Sequence, residues 1–142
     1  MELNKFKEFV LTHIDQYRGV NAHSEDELSG FESTLGFELP DSLRWLLKKH
    51  GYGNATGVAN LSEAVATTLA LRGSRGLSEK LLILNDWGDA GVVILDMDSG
   101  ECCWCAVHEV EKISKGQREL LGADWYKSFA DWSCYRCEEL ED

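Results

Sequence analysis

Basic residues are scarce in this sequence. Lys and Arg together number 14 against 25 Asp and Glu, a formal net charge of −11, and the acidic excess runs through the beginning, middle and end of the chain. Without a cluster of Lys and Arg, direct binding to nucleic-acid phosphates is not expected, because such binding is built on clustered cations. A basic partner suits the chain better, since opposite fields accelerate encounter. No run of about 18 or more apolar residues is present, so no helical membrane span is expected. The first residues, MELNKFKEFVLTHIDQYR, interleave charges with apolar positions and hold no apolar core followed by a small-residue cleavage site. They read as mature structure, and the chain as cytoplasmic. Five cysteines, an odd number, oppose a complete disulfide framework and fit reduced thiols in a reducing compartment. The four histidines, His13, His23, His50 and His108, lack the spacing that sets two metal ligands on adjacent helical turns.

Proline is scarcer still. It occurs once, at Pro40, inside the stretch FESTLGFELPDSLRWLLKKHGYG that spans residues 31–53. Gly36 ends one helix there, Pro40 opens the next with its φ preset, and Gly51 stops it. Leu43, Leu46 and Leu47 form the apolar face between, and Lys48, Lys49 and His50 lie at the negative end of the helix dipole. Upstream, Leu3, Phe6, Val10, Ile14 and Tyr17 recur at helical spacing and predict one continuous helix ending near Arg18-Gly19. Ser24 and Glu27 have the spacing of a capping box for a short helix with Leu28, Phe31 and Leu35 on its buried stripe. Residues 51–60 read as a Gly/Asn-rich loop, and Ser62-Glu63 as the cap of a helix through about Arg72.

The rhythm then changes. Leu81 to Leu84 and Val92 to Leu95 are short apolar runs bounded by turn residues, which predict core strands. The turn chemistry of residues 96–100 predicts that residues 101–107 return antiparallel to the second strand. Residues 108–122 are polar and undetermined. Trp125, Phe129 and Trp132 recur at helical spacing and predict a last helix that fades into an acidic tail. At 142 residues the chain fits one domain with one core. The fold class expected is α+β, with N-terminal helices, a central antiparallel sheet and a C-terminal helix.

With these elements in order, the chain resembles the SUKH superfamily, the Smi/Knr family of bacterial immunity proteins and fungal cell-wall regulators. The matching residues are the acidic lead-in Glu25 to Phe31, then Glu32, Leu35-Gly36, Leu39-Pro40, Leu43, Leu46-Leu47 and Gly51-Tyr52-Gly53. They continue with Leu81 to Leu84, Asp86-Trp87-Gly88-Asp89, Val92 to Asp96 with Gly100, and Ser128 to Trp132. The resemblance covers roughly residues 20–135. The chain departs from the family in its turn, where Trp87 interrupts a Gly-Asp-Gly-Asp pattern and Ala90 follows. The resemblance implies a binding module without catalytic machinery and without a cofactor. It implies, further, a partner such as a toxin domain, often a nuclease, which an acidic inhibitor would complement. A general scaffold of the same fold is the alternative.

Candidate chemistry is weighed against packing residue by residue. Asp96-x-Asp98-x-Gly100 resembles the start of a calcium loop but lacks the third oxygen ligand before glycine and the distant glutamate, and turn formation accounts for it. Cys103-x-Cys105 sets two thiols on one face of a strand, and Cys134-x-x-Cys137 two on one helical turn. The four together offer a zinc module or, with the aspartates, a metal-dependent enzyme, a further alternative, although this spacing is not that of a zinc knuckle and cysteine also behaves as a small buried hydrophobe; no metal is expected. The glycines of GYGNATG follow a helix, where a phosphate loop follows a strand, so no nucleotide is expected. Tyr52 and Trp87, aromatics in loops, are the expected partner anchors. The acidic loop residues Asp86, Asp89 and Glu101 complete the expected partner-binding set. The oligomeric state is not set by the sequence.

Overall fold

The computed structural model describes all residues from Met1 to Asp142. In chain order it forms α1 (Leu3–Thr12), α2 (Ile14–Tyr17), α3 (Glu25–Leu35), α4 (Asp41–Lys49) and α5 (Leu61–Arg75). There follow β1 (Leu81–Asp86), β2 (Val92–Asp96), β3 (Cys102–Cys105), α6 (Val110–Ser114), β4 (Ala123–Tyr126) and α7 (Phe129–Glu141). The four strands form one antiparallel sheet in the order β1-β2-β3-β4. This is the α+β architecture expected, and no helix is long and apolar enough to cross a membrane.

Both faces of the sheet are covered, which is why its strands read as unbroken apolar runs. One face carries Leu82, Leu84, Val93, Leu95 and Cys102 into the main core, where Phe6, Tyr17, Leu28, Leu43, Leu46 and Phe129 meet them from the helices. The other carries Ile83, Val92, Ile94, Cys103 and Cys105 into a smaller cluster closed by Leu77 and Ile113. Strand alternation therefore sorts the thiols. Cys103 and Cys105 do share a face, as their spacing predicts, but Cys134 and Cys137 lie in the main core across the sheet. The two pairs cannot converge on one ion.

The 31–53 stretch is held by specific contacts. The Ser24 capping box is formed, and Gly36 ends α3 at φ +84. Glu32 then accepts a hydrogen bond from the Leu39 amide at 2.7 Å and from Arg44 Nε at 3.1 Å, tying the linker to α4. The glycines after α4 do more than stop it. Val20 and Tyr52 form an isolated antiparallel bridge, and a Cβ on Gly51 or Gly53 would overlap the backbone at Val20 or Tyr17. Gly51-Tyr52-Gly53 is thus a site of backbone-to-backbone packing, for which only glycine leaves room.

Three expectations change. The first helix is two, because His13 leaves helical geometry at φ −117, ψ 36. The cap of α5 is Asn60, whose side chain accepts from the Glu63 amide, and the helix continues to Arg75. The largest change is at Trp125. It belongs to β4, paired with Cys103, and α7 begins only after Ser128, whose side chain accepts from the Asp131 amide. Helical spacing of three aromatics was coincident with a strand followed by a cap, since Trp125 faces the smaller cluster while Phe129 and Trp132 enter the main core.

Candidate functional site

The β1–β2 connection is a compact turn. Trp87 donates its amide to the Gly91 carbonyl at 2.9 Å, and Asp86 Oδ1 accepts from the Gly88 amide at 2.8 Å. Gly88 and Gly91 both take positive φ, +61 and +118, values that L side chains seldom adopt. Gly91 serves a second purpose, because a Cβ there would stand 2.8 Å from the Trp104 ring. The missing side chain lets Trp104 of β3 lie against the turn, and Trp87 packs on it with ring centroids 5.2 Å apart.

This pair is one end of a larger aromatic surface. Trp104 and Asp124 are register partners on β3 and β4, and Tyr126 stands opposite Cys102 on the same sheet face. From α7, Tyr135 meets Tyr126 with centroids 5.5 Å apart, and the Arg136 guanidinium lies over the Trp87 ring at 4.8 Å. Sheet and helix enclose a groove of about 260 Å³ lined by Trp104, Asp124, Tyr126, Trp132, Tyr135, Arg136 and Glu139. Two of its carboxylates, Asp124 and Glu139, are exposed, as is Asp89 in the turn that carries Trp87.

Apart from the Arg136 guanidinium seated over Trp87, the groove's polar groups are phenols and carboxylates. Burial first, then the neighbouring Tyr135 and the carboxylates of Asp124 and Glu139, push the Tyr126 phenol up to about 12. Tyr135 is raised as well, chiefly by its hydrogen bond to Glu139. Both phenols keep their protons at neutral pH. The arrangement offers π faces and carboxylates to a cation and has no activated nucleophile.

The expected set does not converge on one surface: Asp86, Trp87 and Asp89 share only the β1–β2 connection, and Tyr52 and Glu101 lie elsewhere. Trp87 joins the aromatic surface. Asp86 lines a different concavity of about 470 Å³, between α5, the sheet and α6, with Arg75, His108 and Lys115 on its walls. Glu101 sits beside the β2–β3 turn, at the opposite end of the sheet because successive hairpin turns alternate ends, and its carboxylate is paired with Arg118. Tyr52 is half-buried in the helical layer. Its hydroxyl accepts from the Leu61 amide at 2.8 Å and also meets His23 Nε2.

Sequence reasoning missed Trp104, Asp124, Tyr126, Tyr135, Arg136 and Glu139. A signal existed in Cys102-x-Trp104, an alternating strand pattern that puts both on one face. The helix expected from Trp125 hid Tyr126. Asp96 is structural: it is buried and its Oδ1 accepts from the Asp98 and Ser99 amides at 3.0 and 3.1 Å, the turn role its spacing suggested.

Comparison with curated proteins finds no match. A family model described as the SMI1 / KNR4 family (SUKH-1) matches residues 23–133. The match opens beside the Ser24 capping box, includes α3 to α6 and the whole sheet, and closes in the second turn of α7. Spanning well over half of the sequence in the order its elements fold, that match makes the chain a member of the SMI1 / KNR4 family.

Proposed function

We propose that this protein is a non-catalytic binding module, a bacterial immunity protein that neutralises a basic toxin domain such as a nuclease. Family membership supports an interaction role in immunity or cell-wall regulation. The observation that carries the narrower reading is the aromatic groove with its carboxylate rim. Trp87, Trp104, Tyr126 and Tyr135 offer half-exposed rings set on a turn, a sheet and a helix, the residue types that anchor interfaces. Asp124 and Glu139 beside them, with Asp89 in the turn after Trp87, suit Lys or Arg from a partner that itself grips phosphates. Occupying those cations would deny them to nucleic acid.

Coexpression with a toxin domain, should one be encoded beside its gene, tests the reading. Growth rescue and a purified complex are expected. Their joint absence with that toxin rejects the immunity function, whereas a complex that forms without rescue points to a scaffold.

A further inference from the structure

His13 stands at the break between α1 and α2, and its ring stacks on Phe9 with centroids 4.2 Å apart at 29°. The stacking leaves Nδ1 facing the last turn of α7, 2.8 Å from Glu141 Oε1 and 3.1 Å from Oε2. One turn earlier on α7, the fully buried Cys137 places Sγ 3.8 Å from Glu141 Oε1. The imidazole nitrogen, the sulfur and the carboxylate oxygen all lie within 4.8 Å of one another. Three different donor types therefore converge from two segments at opposite ends of the sequence.

We propose that His13, Cys137 and Glu141 bind one zinc ion, with water as the fourth ligand. Zinc takes nitrogen, sulfur and oxygen donors at about 2.0–2.3 Å, so the donors of a tetrahedral ion stand roughly 3.3–3.8 Å apart. The side chains need only a small closure to reach that spacing. Cys137 and Glu141 are four apart on one helical face, and His13 reaches across to complete the set. A hard cation such as magnesium or calcium prefers an all-oxygen shell and is a poor match. As the zinc–sulfur bond forms, the Cys137 thiol releases its proton to solvent. The ion fastens the end of α7 to the α1–α2 junction, so it stabilises the folded chain by linkage. None of the three residues lies within the family match at 23–133, and the site is independent of the aromatic groove.

Cobalt(II) titration of the metal-free full-length protein reads the site directly. A tetrahedral visible spectrum with a thiolate-to-cobalt charge-transfer band is expected at one equivalent, bleached by zinc, together with a higher Tm in zinc. Glu141→Gln and His13→Gln, changes at partly exposed side chains, are each expected to weaken binding at least about tenfold, while Cys134→Ser leaves the band intact. Cys137→Ser removes the band. A histidine–carboxylate ion pair with no metal predicts no charge-transfer band and no zinc-dependent Tm, and that result overturns the proposal. So does a band that survives both His13→Gln and Glu141→Gln.

Discussion

Trp87 lies on Trp104 with the two ring planes inclined by 41°, and the space that admits Trp104 is the absent side chain of Gly91. The aromatic surface is thus shaped by the side chain that Gly91 lacks. Gly91→Ala adds a methyl group 2.8 Å from the Trp104 ring at φ +118, a backbone state costing about 1–3 kcal/mol. Urea denaturation should show a loss of that order, and near-ultraviolet circular dichroism a changed tryptophan signal. An unaltered spectrum would mean that the turn does not position the ring.

Trp87 and Tyr52 should separate binding from stability. Trp87→Ala removes a half-exposed ring and is expected to weaken the partner complex by about 2 kcal/mol or more, a larger effect than the loss of its packing on Trp104 has on Tm. Tyr52→Phe removes the acceptor of the Leu61 amide and is expected to cost about 1–2 kcal/mol of stability while leaving affinity intact. Calorimetry of binding and of unfolding on both variants reads the split, and equal effects of the two on affinity would contradict it.

A buried relay joins α2 to α7. The Tyr17 hydroxyl donates to Ser133 Oγ at 3.0 Å, and Ser133 donates to the Ala55 carbonyl at 2.6 Å. Ser133→Ala strands both partners in the core, at an expected cost of about 1–3 kcal/mol. Combining it with Tyr17→Phe removes one of the stranded groups, so the double variant should lose less than the sum of the singles. Strict additivity in denaturant titrations would argue against a relay.

Acid should destabilise the fold in two stages. The His50 pKa is lowered by burial and then by Lys49, and its Nε2 is buried without a partner, so the folded state favours the neutral ring. The unfolded chain binds that proton first, and stability falls as pH drops through the ordinary imidazole value of 6.5. Glu25 is held down to about 2 by hydrogen bonds from Arg44 and Lys48. A depressed carboxylate stabilises above its unfolded value, and that contribution is lost as pH falls from 4.5 toward 2. His50→Leu should flatten the upper stage alone, and Glu25→Gln the lower. Position at the end of α4 favours a charged His50; its partial burial beside Trp45, with centroids 5.3 Å apart, reverses that.

Much of the fold was legible because its signals are local. The Ser24–Glu27 capping box, the Gly36 stop, the start at Pro40 and the runs at 81–84 and 92–95 each depend on a few neighbouring residues, and each stands where expected. The misreadings share a cause. Trp125 was assigned by spacing alone, yet β4 exists because β3 offers it a ladder, and Asn60 rather than Ser62 caps α5 because the approach of the chain sets which side chain faces the free amides.

The sequence by itself determined the helical and strand alphabet of this protein, its acidity and its family, since propensity, capping and charge reside in short stretches. Tertiary structure alone decided which residues share a surface. Strand alternation split the cysteine pairs between two faces, and alternating hairpin ends sent Glu101 away from Trp87. The packing of α7 against β3 and β4 assembled Trp104, Tyr126 and Tyr135 into one groove and carried Cys137 and Glu141 to His13. Such encounters join residues far apart in the chain, and no local pattern encodes them.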